Sequence, residues 1–298
     1  MSLRAPLLLA AAVIALVAPT HGETASGRPL IAAPARAERT PFGFGARDGA
    51  KPEEPRRGRR SHDKGEAEAP AKPATPAQRA AVAQQDRLSQ IAFWDRELLI
   101  APNDLEAAQK LSELQRLEGQ NDRAAITAMT GLAAHADDRA LLLSAGRAFL
   151  ALSRGARAAP LFLRLTQLDP QDWRAFSLAG VAHDYMGDPE GARRLYGQAL
   201  ALQPNEPSVL ANLALSHVLT GDPAQAEAIL RGAALQPGAG AQVRQNLALV
   251  LGLQGKFEEA EQIARQDMPA NFAAGNIGYL RDMVAGARRW ESATTSQR

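Results

Sequence analysis

Glycine recurs at positions 187, 221 and 255, and alanine at 192, 226 and 260, each time 34 residues apart. Asp188 and Asp222 keep the same step, as do Pro189 and Pro223. Carried backwards, the register puts Gly119 in the glycine slot, Pro102, Pro170 and Pro204 in a second slot, and Gly146 and Gly180 in a third. A fixed period of this length means that one supersecondary unit is written several times. Such a unit cannot bury its apolar face alone and must stack on its neighbours. Five units follow without a break: 105–138, 139–172, 173–206, 207–240 and 241–274.

Each slot has a physical reason. In 207–240, Leu210, Leu213, Ala214 and Val218 recur at helical spacing and predict a first helix. Gly221 suits the left-handed residue that closes it, Asp222 suits the cap of the next helix, and Pro223 fits that helix's first turn. Ala226 stays small where the paired helices cross. Gly187–Asp188–Pro189 repeats the arrangement, while Gly255–Lys256–Phe257 loses the cap and the proline. Ser153 stands where 139–172 should have its glycine, Pro160 falls early in that unit's second helix, and Gly131 lies inside the second helix of 105–138. A 34-residue helix–turn–helix with these slots is the signature of the tetratricopeptide repeat (TPR), so the expected fold is an all-α superhelical TPR solenoid. Residues 78–104, ending IAFWDRELLIAP and two further residues, are expected to be one long helix left from a worn half-repeat. Residues 275–290 are expected to cap the stack, with Ile277, Leu280, Met283 and Val284 on one stripe.

Ahead of the repeats the composition changes. MSLRAP followed by the apolar run LLLAAAVIALVA predicts a secretory signal peptide over residues 1–22, with Thr20 and Gly22 as small residues at the cleavage site. The run is too short to span a bilayer as a helix; an uncleaved anchor is the alternative. Residues 23–77 are Ala-, Pro-, Gly- and Arg-rich with almost no large apolar side chains, and are expected to form a disordered tether. The formal charge of +2 comes from this region: residues 1–77 carry 12 Lys and Arg against 8 Asp and Glu, and residues 78–290 carry 21 against 23. A near-neutral solenoid has no basic face for phosphates, which excludes nucleic acid as a partner. With no cysteine in the chain there is no disulfide, thiolate metal site, cysteine nucleophile or lipid-anchored cysteine.

No constellation for chemistry emerges. His183 and His217 occupy one slot of adjacent repeats, with Asp184 beside the first, but a third convergent metal ligand is missing, and structural packing is the expected role. There is no phosphate-binding glycine loop, no framed carboxylate pair and no Ser/His/Asp arrangement, so no catalytic residue, cofactor or metal is expected. The expected working surface is the concave face, lined in TPR proteins by particular first-helix positions. Here these are Arg147, Arg174, Ser177, Val181, Asp184, Tyr185, Ala211, Asn212, Leu215, Leu219, Gln245, Asn246, Leu249 and Leu253. Polar at one end and leucine-rich at the other, they suit an amphipathic or extended peptide. Asn212 and Asn246 share a slot; they bond a ligand backbone as a ladder, or they bond their own helices. The lysine pattern with which chaperone-binding TPR domains clamp a C-terminal carboxylate is absent.

The stretch RQNLALVLGLQGKFEEAEQIARQDMP (244–269), followed by GNIGYLRDMV (275–284), resembles the end of TadD-type TPR proteins of the tight-adherence (Tad/Flp) pilus assembly machine. The resemblance extends over about 140–285. It implies a non-catalytic scaffold that binds a secretin or pilus-assembly component, exported to the periplasm or peripheral to the outer membrane. Membrane association would then come only through partners or an uncleaved signal anchor. Family members often carry a lipobox cysteine and guide the secretin as lipoproteins; this chain has no such cysteine. A periplasmic TPR chaperone for another exported client, such as an apocytochrome, is the alternative.

Overall fold

The computed structural model describes residues 72–295, with side chains described through residue 286. The expected signal peptide and most of the expected tether lie outside these residues. Among the described residues there are thirteen α-helices and no strand. Two helices, α1 (Pro76–Val82) and α2 (Arg87–Ile100), precede the repeats. Helix pairs follow: α3 (Leu105–Leu117) with α4 (Asn121–Ala134), α5 (Arg139–Ala151) with α6 (Gly155–Leu168), and α7 (Trp173–Tyr185) with α8 (Pro189–Leu202). Next come α9 (Pro207–Leu219) with α10 (Pro223–Ala234), then α11 (Ala241–Leu253) with the short α12 (Phe257–Ala264), and finally α13 (Ala270–Thr295). The fold is a TPR solenoid.

Every helix packs on the next in sequence. First helices of successive units also touch, α3 with α5, α7 with α9 and α9 with α11, whereas no two second helices come as close. That asymmetry places the first helices on the inner, concave side of the curve.

The period is visible in the backbone. Gly119, Gly187, Gly221 and Gly255 have φ between 73° and 83°, and Ser153, in the same slot, has φ 56°. All five units thus turn through a left-handed residue, one of them without the glycine that tolerates it best. A second periodic device is the acidic cap of the first helices: Asp104, Asp138, Asp172 and Glu206, also 34 residues apart, accept from the backbone N–H of Ala107, Leu141, Arg174 and Ser208. Asp188 and Asp222 cap α8 and α10 as expected, and Lys256 offers α12 no side-chain cap.

In the three middle pairs, hole and knob sizes compensate. A Cβ on Gly146 would lie 2.5 Å from the Phe162 ring, and one on Gly180 2.5 Å from the Tyr196 ring. Phe162 and Tyr196 are one period apart, and the next occupant of that slot is the smaller Leu230, matched by Ala214 in the glycine slot. In these three pairs glycine therefore stands where the knob is aromatic and alanine where it is leucine, so the larger knob meets the larger gap. Gly131 has a similar cause: a Cβ there would lie 2.8 Å from Leu141 Cδ1 and 2.9 Å from Ala108 Cβ. Pro160 is accommodated within α6, which continues through it.

Both ends differ from expectation. Residues 78–104 form no single helix. Thr75 and Gln78 make a capping box that starts α1, and Asp86 accepts from the Ser89 N–H to start α2. Residues 74–77 belong to the fold rather than to the tether, because the buried Glu97 carboxylate needs donors. It accepts from the Ala74 N–H at 2.9 Å and from Arg79 at 2.8 Å, and Arg79 also pairs with Asp104 and Glu106 and lies over the Trp94 ring. At the other end the cap begins at Ala270 rather than 275, inside the fifth unit. There α12 ends after eight residues, Arg244 holds Asp267 in the connecting turn at 2.8 Å, and the Pro269 carbonyl accepts the first N–H groups of α13. Ile277 and Leu280 are buried with Ala273 against the last repeat, as the stripe predicts.

Two stability outcomes follow from the turn and the knob. Gly146→Ala should cost about 1–3 kcal/mol, and adding Phe162→Leu should recover much of that loss, because the two share one volume. Ser153→Gly should stabilise by up to about 1 kcal/mol by removing a left-handed side chain. Urea denaturation of these variants against the parent chain measures both.

Candidate functional site

The concave face is built from the first helices α3, α5, α7, α9 and α11, and one slot runs along it as Glu113, Arg147, Val181, Leu215 and Leu249. The structure divides the fourteen expected lining residues in two. Ser177, Ala211, Leu215, Asn246 and Leu249 are buried in the stack and present no surface; Asn246 is 1% exposed and Leu249 7%. The reason is that first helices touch one another, so residues facing the neighbouring helix are covered by it. Arg174 is exposed, and Arg147, Val181, Asp184, Tyr185, Asn212, Leu219, Gln245 and Leu253 are half-buried. These nine make the accessible face.

The asparagine slot forms no free ladder. Asn212 Nδ2 donates to Ser177 Oγ at 3.2 Å, bonding the preceding first helix, and Asn246 Oδ1 accepts from Gln242 Nε2 at 3.1 Å. Asp184 is likewise part of the frame. Its Oδ2 accepts from the Tyr196 hydroxyl at 2.8 Å and its Oδ1 from Ser216 Oγ at 2.7 Å, so one carboxyl joins α7, α8 and α9. Burial pushes its pKa up to about 6, against the two hydroxyl bonds and the fields of Arg193 and His183, which favour the anion. Tyr196 is periodic only as a packing knob, and neither its hydroxyl nor Ser216 recurs in the neighbouring units, so the repeat pattern gives no sign of this node. Tyr185, also on this face, has its phenol pushed up to about 12 by burial.

At the N-terminal half, Glu113 and Arg116 form a two-bond ion pair on α3, Nη2 to Oε1 at 2.7 Å and Nε to Oε2 at 3.0 Å. Burial disfavours the Glu113 carboxylate, but the Arg116 bond and the fields of Arg116 and Arg147 outweigh it and hold its pKa below the ordinary value. Arg147, on α5, has the reverse balance: burial and the like charge of Arg116 lower its pKa, against Glu113. Its Nε is buried with no hydrogen-bond partner, and so is Ser144 Oγ one turn earlier on the same helix. Glu113 and Arg116 share a face with Arg147, and Glu113 falls one period before it, so the period alone could have placed the pair here.

The described histidines are held by other contacts. His183 Nδ1 lies 2.8 Å from Oδ2 of Asp188, the cap of α8, and His217 sits half-buried, its pKa lowered by burial and by the nearby Arg193 cation, against Asp222. Among the described residues no three His, Asp or Glu side chains converge on a metal position. Nor is any described helix long and apolar enough to cross a membrane.

Comparison with known proteins agrees with the fold. Two family models described as tetratricopeptide repeat match residues 185–245 and 241–268. A crystal structure of a tetratricopeptide repeat protein from Parabacteroides merdae ATCC 43184 is similar at 16% identity, over 72% of this chain and 90% of that one, with a TM-score of 0.58. MamA from Desulfovibrio magneticus RS-1 is 18% identical over 53% of this chain and 89% of its own, with a TM-score of 0.48. A thermophilic TPR protein of Thermus thermophilus is 21% identical over 59% of this chain and 94% of its own, with a TM-score of 0.47. No curated protein matches. The chain carries tetratricopeptide repeats, whose fold is in general a non-enzymatic scaffold for protein–protein binding, and no catalytic family matches.

The Asp184 node makes stability depend on pH. Its folded pKa, about 6, lies above the ordinary 3.8, so the folded state holds the proton more tightly. The resulting stabilisation is complete below about pH 4 and is lost as the pH rises through about 6, a swing on the order of 3 kcal/mol. Asp184→Asn, neutral at every pH, should be more stable than the parent at about pH 7.5 and should lose the slope between about pH 4 and 6. Denaturant midpoints across that range decide it; an unchanged slope would place the titration elsewhere.

Proposed function

We propose that this TPR chain is a non-catalytic scaffold that holds an extended protein segment along its concave face, in service of Tad/Flp pilus or secretin assembly in the periplasm. The observation that carries the binding role is the accessible face itself. Arg147, on α5, lies toward one end, Arg174 and Tyr185 share the middle helix α7, and the half-buried Leu219 and Leu253, on α9 and α11, lie toward the other, all presented by helices packed in the stack. A rigid, graded surface of this kind suits a peptide laid across several first helices and lowers the ordering cost of binding it. Support for the pilus machine is the C-terminal resemblance over 244–284. Support for export is the apolar run and small residues within 1–22. No metal, cofactor or nucleic acid enters the proposal; adhesion and orientation are the whole of the mechanism.

Leu215 and Leu249 are unsuitable probes of the face, since a charge at either would enter the core. Leu219 and Leu253 are half-buried and better placed. In a pull-down from envelope extract with the tagged protein, a secretin or pilus-assembly protein should be recovered, and Leu219→Glu with Leu253→Glu should reduce recovery at least about tenfold, the scale of one or two lost apolar contacts. Circular dichroism should show an intact helical fold. Recovery of apocytochromes or of unfolded proteins at large, in place of a defined assembly component, would replace the scaffold with a chaperone.

A further inference from the structure

Counted back one period from α3 (Leu105–Leu117), a first helix should fill residues 71–83. Instead α1 begins only at Pro76 and has 7 residues where the five later first helices have 13 each. The shortfall leaves a cleft of about 420 Å³, lined by Pro76, Ala80 and Ala83 from α1 and its end, by Gln90 and the buried Trp94 from α2, and by Lys110 from α3. Lys110 shows the consequence. Its counterparts one to four periods on, Ser144, Leu178, Asn212 and Asn246, are buried or half-buried, whereas Lys110 is exposed. Gln90 marks the same place, because its slot holds alanine in all five units, at 124, 158, 192, 226 and 260. A stack of repeats needs its terminal face closed, and here the closing helix is about half length.

The chain enters the fold at this cleft. Ala74 also lines it, and the Ala74 N–H, donated to the Glu97 carboxylate at 2.9 Å, fixes where the preceding chain departs. Residues 1–71 carry two aromatic side chains, Phe42 and Phe44, in the stretch TPFGFG. We propose that segment 41–45 of the same chain docks in the cleft, a phenylalanine ring lying against Pro76, Ala80 and Ala83 with the Lys110 ammonium over its face. An aromatic ring suits the site because exposed alanine and proline offer it an apolar wall with no side-chain polar group to satisfy. The cation completes the match, as Arg79 already does for Trp94 in the same cleft, 5.5 Å from the ring centre. Gly43 and Gly45, without side chains, let the segment's backbone come close to the wall. Phe44 stands 30 residues before Ala74. Such a length reaches up to about 100 Å when extended, so reach sets no limit. Tethering gives the segment an effective concentration on the order of mM, enough to fill a site that a free peptide would occupy weakly. Docked there, it closes the N-terminal end of the stack as α13 closes the other.

Because the chain has no cysteine, a single introduced one can carry a nitroxide on the full-length protein. Gly45→Cys places the label beside Phe44, and Ala33→Cys places it away from both phenylalanines. Electron paramagnetic resonance should show a slowly tumbling component holding most of the spins at position 45 and few of them at position 33. Phe42→Ala with Phe44→Ala should abolish that component. Ala80→Glu, which sets a charge against the ring, and Lys110→Glu, which removes the cation, should each abolish most of it. Ala80 and Lys110 are both exposed, and circular dichroism should show the variants as helical as the parent. Equal mobility at positions 45 and 33 would overturn the docking. A slow component that survives Ala80→Glu and Lys110→Glu would put the segment on another surface and overturn the cleft. A component that disappears on dilution would make the occupant a second copy's segment and overturn the intramolecular contact.

Discussion

Every feature of this molecule depends on how closely the two helices of a unit approach. The approach is set where an apolar side chain of the second helix enters a gap in the first: Phe162 over Gly146 and Tyr196 over Gly180. If the gap closes, the pair opens, the angle to the next unit changes, and the error is passed along the stack, because each unit touches only its neighbours. In the three middle units the knobs vary in size and the holes vary inversely, so one close approach is built from different side chains. The left-handed turn then fixes the direction in which the second helix returns. Ser153 adopts it at some energetic cost, which shows that packing of α5 on α6 overrides the local preference of the turn residue.

The same close packing decides which side chains of the concave face can meet a ligand. Where first helices touch, polar groups between them must find partners inside the stack. Asn212 finds Ser177, and Asp184 finds Tyr196 and Ser216. Those groups stiffen the frame and are no longer offered outward. Arg147 and Ser144 are the exceptions, and they sit together.

The period, the turn glycines, the small slots and the caps of α8 and α10 were legible in the sequence, because each is a local rule repeated 34 residues on. The acidic caps at Asp104, Asp138, Asp172 and Glu206 follow the same period and were readable by the same means. Other features were not local. Whether Leu215 or Leu219 is covered depends on the crossing of neighbouring first helices, and the two residues look alike in a helical pattern. The Asp184 node joins three helices through residues with no shared slot. The break between α1 and α2 depends on Arg79 and Glu97, which meet across 18 residues and carry no periodic mark.

The ends of the stack differ in kind from its middle, and this bears on where a ligand is best held. At the N-terminal end Arg79 satisfies three carboxylates, one of them buried, so a charged network rather than an apolar face fastens α1. At the C-terminal end α13 buries Ile277 and Leu280 against the last repeat, with Leu280 Cδ1 only 2.9 Å from where a Cβ on Gly252 would stand. Terminal units of a nearest-neighbour stack open first, having one interface where inner units have two. The residues around Arg147, on α5, have packed units on both sides. The stack as a whole, rather than local fraying, therefore governs whether the buried Arg147 Nε and Ser144 Oγ ever meet solvent.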